Sequence, residues 1–143
     1  MKKILCVLVV GIMALGLVGC GEAKTSSGKK VDIDLSTMSG TMVYSKVYDM
    51  TRNPEAYKGK IVKMKGLFNY YKDANTGKEY FACLIQDATA CCAQGIEFDL
   101  KGEHKYPDDY PEKERELTII GEFDNYKEDG ATYCIVRDAE MKK

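Results

Sequence analysis

The chain has 143 residues, 45% of them apolar and 30% charged, with one His, six Cys, no Trp and a formal net charge of −1. That length allows at most one compact domain, and the mixed polarity excludes both a multi-span membrane protein and a disordered chain. A charge so near neutral also argues against binding driven by counterion release, so the expected partners include no nucleic acid.

Met1-Lys2-Lys3 followed by the apolar run from Ile4 to Gly19 has the charged and hydrophobic regions of an export signal. The run is 16 residues long and contains Gly11, Gly16 and Gly19, whereas a membrane span needs roughly 20 apolar residues. Leu17-Val18-Gly19-Cys20 resembles the bacterial lipobox, which implies that the Cys20 thiol receives a diacylglycerol and that residues 1–19 are cleaved as a signal peptide. Cleavage removes two Lys and no acid, so 21 basic residues fall to 19 against 22 acidic ones, a formal −3. Residues 20–40 then form the lipidated Cys and a small, polar tether. Residues 41–143 form the folded domain. The expected location is the extracytoplasmic face of the cell membrane, reached through the lipid anchor.

Within the domain, Val43, Val47, Met50 and Tyr57 fall at helical intervals ahead of and across Asn53-Pro54, which predicts one short helix followed by a turn. From Lys60 to Tyr71 the pattern alternates, with Val62, Met64, Gly66 and Phe68 on one face and Lys63 and Lys65 on the other. Asp73-Ala74-Asn75-Thr76-Gly77 is turn chemistry, and Glu79 to Gln86 supplies the returning strand. Ile96 to Leu100 reads as a third strand. Leu117 to Tyr126 and Thr132 to Arg137 read as a second hairpin around Glu128-Asp129-Gly130. The stretch Gly102 to Glu116 reads as an irregular loop.

The two hairpins echo each other. Gly66-Leu67-Phe68, Tyr71-Lys72-Asp73 and Cys83 to Ala88 recur as Gly121-Glu122-Phe123, Tyr126-Lys127-Glu128 and Cys134 to Ala139. Each long first strand carries a Gly, which lets it bend sharply at a barrel corner. The expected fold is therefore all-β: a five-stranded OB-like barrel preceded by one short helix.

Asn53-Pro54, Tyr57, Gly59-Lys60-Ile61-Val62 and Lys65-Gly66 resemble the opening of bacterial extracytoplasmic OB-fold domains, and Asp87-Ala88-Thr89-Ala90-Cys91-Cys92-Ala93-Gln94-Gly95-Ile96-Glu97-Phe98 resembles the Cys-Cys segment of a small group of Gram-positive-type OB-fold-like lipoproteins and membrane-protein domains. The resemblance implies a fold and a location over about residues 45 to 140 and brings no catalytic residue.

After the signal and the lipid claim Cys6 and Cys20, four thiols remain: Cys83, Cys91, Cys92 and Cys134. Cys83 and Cys134 hold equivalent positions in the repeat, which points either to buried apolar side chains or to a bridge. Cys91-Cys92 admits a strained vicinal disulfide, a soft-metal site for zinc or copper completed by His104, Cys83 or Cys134, or a structural role. Adjacent side chains diverge, which weighs against their sharing one tetrahedral ion. Otherwise no cofactor is expected. No phosphate loop, nucleophile elbow or dinucleotide fingerprint occurs, so the chain reads as no enzyme. It reads as a non-catalytic binding or accessory module that meets an extracytoplasmic protein or small ligand at the barrel mouth, with Tyr70, Tyr106, Tyr110 and Tyr126 as its surface. The alternative is a metal-handling or thiol-redox protein centred on Cys91-Cys92.

Overall fold

A computed structural model of the chain describes residues 24–26 and 28–142. The expected signal segment and the lipidation residue Cys20 lie outside the described residues. Among those described, no helix is long and apolar enough to cross a membrane.

The elements in chain order are β1 (Ile33–Asp34), α1 (Gly40–Arg52), β2 (Ile61–Lys72), β3 (Glu79–Gln86), β4 (Ala93–Leu100), β5 (Glu116–Glu128) and β6 (Ala131–Lys142). β2 pairs antiparallel with β3, β3 with β4, β6 with β5, and β5 with β2 again, while β4 and β6 run parallel. Hydrogen bonds therefore run around a ring of five long strands, an all-β, barrel-like fold with one helix ahead of it, as expected. The helix lies before Asn53-Pro54 and does not reach Tyr57. Instead Tyr57 N–H bonds to Pro54 C=O in a separate 3-10 turn. The third strand starts three residues earlier than the sequence predicts, at Ala93. Within the segment read as a tether, Ile33 and Asp34 pair in parallel with Val62 and Lys63, and the Asp32 carboxylate accepts the Ile61 N–H at 2.8 Å.

Closing the ring requires β2 to serve two partners. Residues 61–67 pair with β5 and residues 67–72 with β3, so the strand changes partner at Gly66-Leu67. A Cβ on Gly66 would lie 2.4 Å from the Leu84 carbonyl oxygen and 2.8 Å from the Cys83 Sγ. Its repeat counterpart Gly121 sits at the register shift of β5 against β6, where a Cβ would lie 2.6 Å from the Arg137 carbonyl oxygen. The two repeated glycines thus mark the two places where a long strand crowds its neighbour.

The interior is lined by alternate residues: Val62, Met64 and Phe68 of β2, Cys83 and Ile85 of β3, Ile96 and Phe98 of β4, Leu117, Ile119 and Phe123 of β5, and Val136 of β6. Val47 and Met50, fully buried, dock α1 onto this core. The same alternation sends Asn69, Tyr71, Tyr80, Ala82, Glu97, Tyr126 and Tyr133 to the outer face.

Candidate functional site

Two cross-strand tyrosine pairs stand on that outer face. In the β2–β3 hairpin Tyr71 is directly opposite Tyr80, ring centroids 6.0 Å apart; in the β5–β6 hairpin Tyr126 is opposite Tyr133, stacked at 5.5 Å. Opposed aromatic side chains of this kind stabilise a sheet and keep their rings standing. Between the pairs lies a groove of about 340 Å³, lined by Tyr71, Tyr80 and Tyr133, by Asn69 and Ala82, and by the acidic side chains Asp73, Glu97, Glu128 and Asp129. A smaller cavity of about 200 Å³ adjoins it through Tyr80 and Glu97 and adds Lys78, Tyr126 and Arg137.

Polar bonds hold the two hairpins in register across the groove. The Lys78 ammonium donates to Glu128 at 2.6 Å and lies over the rings of Tyr80 and Tyr126, 4.8 and 5.5 Å from their centroids. The Tyr80 hydroxyl donates to the other Glu128 oxygen at 3.1 Å. The Tyr126 hydroxyl donates to Glu97 at 2.8 Å. Desolvation raises the Glu97 carboxyl above its ordinary value despite that bond, and desolvation together with the Glu97 charge raises the Tyr126 phenol. The Glu97 carboxylate opposes loss of the phenol's proton, while the phenol's hydrogen bond favours the ionised carboxyl, so at neutral pH the pair is a neutral phenol on a carboxylate. Arg137 reaches Asp99 at 2.8 Å and Asp124 at 3.2 Å, which leaves the groove's carboxylates in excess over its cations.

The sequence-predicted surface is divided by the structure. Tyr126 lines the smaller cavity beside the groove and stacks on the groove residue Tyr133. Tyr70, Tyr106 and Tyr110 instead pack into one aromatic cluster: Tyr70 stacks on Tyr106 at 3.9 Å and Tyr110 on Phe81 at 4.2 Å, with Phe68 and Phe98 beneath. Tyr110 is 9% exposed and belongs to the core. The irregular 102–116 loop is thus held down by its own aromatics and leaves the groove open. Extending the β2 alternation beyond Phe68 puts Tyr70 inside and Tyr71 outside, so the sequence carries a signal for Tyr71 on the outer face.

The cysteines also part company. Cys83 and Cys134 are buried, and burial pushes their thiols up to about 12 and about 11. Cys134 Sγ lies 3.9 Å from the Met50 carbonyl under the end of α1. His104 sits in the 102–116 loop, its Nε2 3.1 Å from the Lys101 carbonyl and its Nδ1 3.7 Å from Asp109. None of these three joins Cys91 and Cys92, which lie exposed on the β3–β4 turn with Asp87. That turn is at the end of β3 away from the β2–β3 hairpin tip and does not line the groove. The groove is thus built by the two hairpins and β4, apart from both the Cys-Cys turn and the 102–116 loop.

No protein family and no curated protein matches the chain. Among solved structures it is similar to a "putative nucleic acid-binding lipoprotein" from Klebsiella pneumoniae subsp. pneumoniae MGH 78578, with 20% identity and a TM-score of 0.43 over 67% of this chain and 81% of that one. The expectation of no nucleic-acid partner is corrected on this finding. It rested on net charge averaged over the whole chain, whereas single-strand binding depends on local stacking platforms and local charge.

Proposed function

We propose that the protein is a lipid-anchored extracytoplasmic binding module, without catalytic activity, whose ligand lies in the groove between the β2–β3 and β5–β6 hairpins. The observation that carries this reading is that Tyr71, Tyr80 and Tyr133, drawn from both hairpins, line one groove, with Tyr71 59% and Tyr133 40% exposed. Large exposed aromatics around a concave surface point to an occupant. The groove's chemistry favours a ligand with a flat apolar face for the rings and hydrogen-bond donors or positive charge for Asp73, Glu97, Glu128 and Asp129, such as a glycan segment or an amine. The anchor reading rests on the lipobox resemblance at Leu17 to Cys20.

The test is a binding screen on the purified chain with three probes: a cell-wall glycan fragment, a quaternary amine and a single-stranded oligonucleotide. Saturable binding by wild type that falls at least ~tenfold in a Tyr71→Ala, Tyr133→Ala double variant supports the groove, since stacking on aromatic side chains is worth about 1–3 kcal/mol per ring. Binding that the double variant retains in full places the ligand elsewhere and overturns the proposal.

A further inference from the structure

We propose that Asp87, Cys91 and Cys92 form a binding site for a zinc-type metal ion, with three protein ligands and one open position. The turn between β3 and β4 is built around the Asp87 carboxylate. It accepts the backbone N–H groups of Thr89 at 3.2 Å and Cys91 at 3.0 Å, while the Asp87 N–H bonds to the Cys92 carbonyl at 2.9 Å. Ala90 takes a left-handed conformation, φ 55°, which folds the chain back on itself. The consequence is that side chains of adjacent residues, which ordinarily diverge, present their sulfurs together: Cys91 Sγ and Cys92 Sγ are 3.7 Å apart, and Cys91 Sγ is 3.3 Å from Asp87 Oδ2.

Those separations have a direct chemical reading. With zinc–sulfur bonds of ~2.3 Å and zinc–carboxylate bonds of ~2.1 Å, a tetrahedral centre has a sulfur–sulfur edge of ~3.8 Å and a sulfur–oxygen edge of ~3.6 Å. The observed edges lie within a few tenths of an ångström of both, and the ligand atoms of all three residues lie within 4.8 Å of one another. The Thr89 hydroxyl, 2.9 Å from Cys91 Sγ and 3.1 Å from both Asp87 oxygens, is placed to orient these ligands from behind. Binding replaces both thiol protons by metal–sulfur bonds and releases those protons to solvent, with no change in oxidation state. Both cysteines are exposed, so the fourth position is open to water or to an exchanging ligand, as suits an ion that is passed on or sensed. The site does not depend on the groove, and its test does not involve the groove.

The experiment titrates the full chain, purified in detergent under reducing conditions with its free thiols verified by mass, with Zn2+ and with Co2+ as a spectroscopic probe. One equivalent of tightly held metal is expected, with thiolate-to-cobalt charge-transfer absorption of tetrahedral intensity. Cys91→Ser and Cys92→Ser each abolish that absorption, Asp87→Asn weakens binding at least ~tenfold, and Cys83→Ser and Cys134→Ser leave stoichiometry and absorption unchanged. A readout free of variants accompanies it: bound zinc protects Cys91 and Cys92 of wild type from alkylation. Absence of binding by the reduced chain, binding retained by Cys91→Ser and Cys92→Ser, or alkylation unaffected by zinc overturns the proposal.

Discussion

Gly66 shows how much of this fold hangs on a single missing side chain. A methyl there meets backbone at 2.4 Å, Cys83 Sγ at 2.8 Å and Ile85 Cδ1 at 2.9 Å, and the backbone oxygen has nowhere to go because it belongs to the neighbouring strand. Gly66→Ala is expected to destabilise the domain by about 1–3 kcal/mol, as overpacking does, whereas Gly77→Ala, in open space, acts only through its positive φ. Thermal unfolding of the two variants checks the order. The cysteines give a second prediction at this scale. Cys83 and Cys134 are buried with thiols raised by desolvation, whereas Cys91 and Cys92 are exposed. Alkylation of the folded, metal-free chain is expected to label Cys91 and Cys92 and spare the other two until denaturant is added, as read by mass. Asp124 contributes to the pH dependence. Its hydrogen bond from Lys58, with further bonds from the Asn125 backbone and Arg137, holds its carboxyl down to about 2 from an ordinary 3.8. A carboxyl lowered in the folded state contributes stability that is whole above its unfolded value and fades as pH falls through its folded value. Between about pH 4 and 2 the wild type therefore loses stability that Asp124→Asn never had, so the gap between their melting temperatures narrows across that window.

At the scale of elements, the 102–116 loop is the part of the chain that pattern reading is least able to place. It has no period, and its prolines forbid a helix, so the sequence identifies it as a loop with exposed tyrosines. What decides its course is three-dimensional: Tyr110 stacks on Phe81 of β3 and Tyr106 on Tyr70 of β2, contacts between residues 29 and 36 positions apart that no local spacing announces. Tyr110→Ala is expected to cost about 3–5 kcal/mol, the loss typical of a large buried aromatic, and to expose the Phe81 face. A much smaller loss in chemical denaturation would show that the loop is only laid over the core. The strands, by contrast, are legible because their alternation is a local consequence of the pleat. The hairpin repeat also marks Gly66 and Gly121, where β2 changes partner and β5 shifts register. The Cys-Cys turn lies between these cases. Its existence is evident from small residues and Asp, but the argument that adjacent thiols diverge fails here because Asp87 and a left-handed Ala90 curl the backbone, and neither feature is visible in a two-residue motif.

At the scale of the whole molecule, the ring of strands sorts side chains into two sets with different work. Inward residues make an apolar core closed by α1 and by the aromatic loop. Outward tyrosines from two separate hairpins meet over a shared groove because β4 and β5–β6 bring Glu97 and Glu128 up to Tyr126 and Tyr80. The barrel is legible in the sequence, which also points to tyrosines of the 102–116 loop and of the hairpins as a surface, but that Tyr71, Tyr80 and Tyr133 share one groove appears only once the ring closes. Net charge likewise concealed the local picture, in which a near-neutral chain presents an acidic, aromatic-walled groove. The central claim is that this groove is where a ligand sits. The most direct measurement is backbone and side-chain NMR mapping of the chain during titration with the probe that binds best among glycan fragment, quaternary amine and single-stranded oligonucleotide. Saturable shifts centred on Tyr71, Tyr80, Glu97 and Tyr133 are expected, with their absence in the Tyr71→Ala, Tyr133→Ala variant. Shifts centred on another face, with the groove unmoved, would contradict that claim.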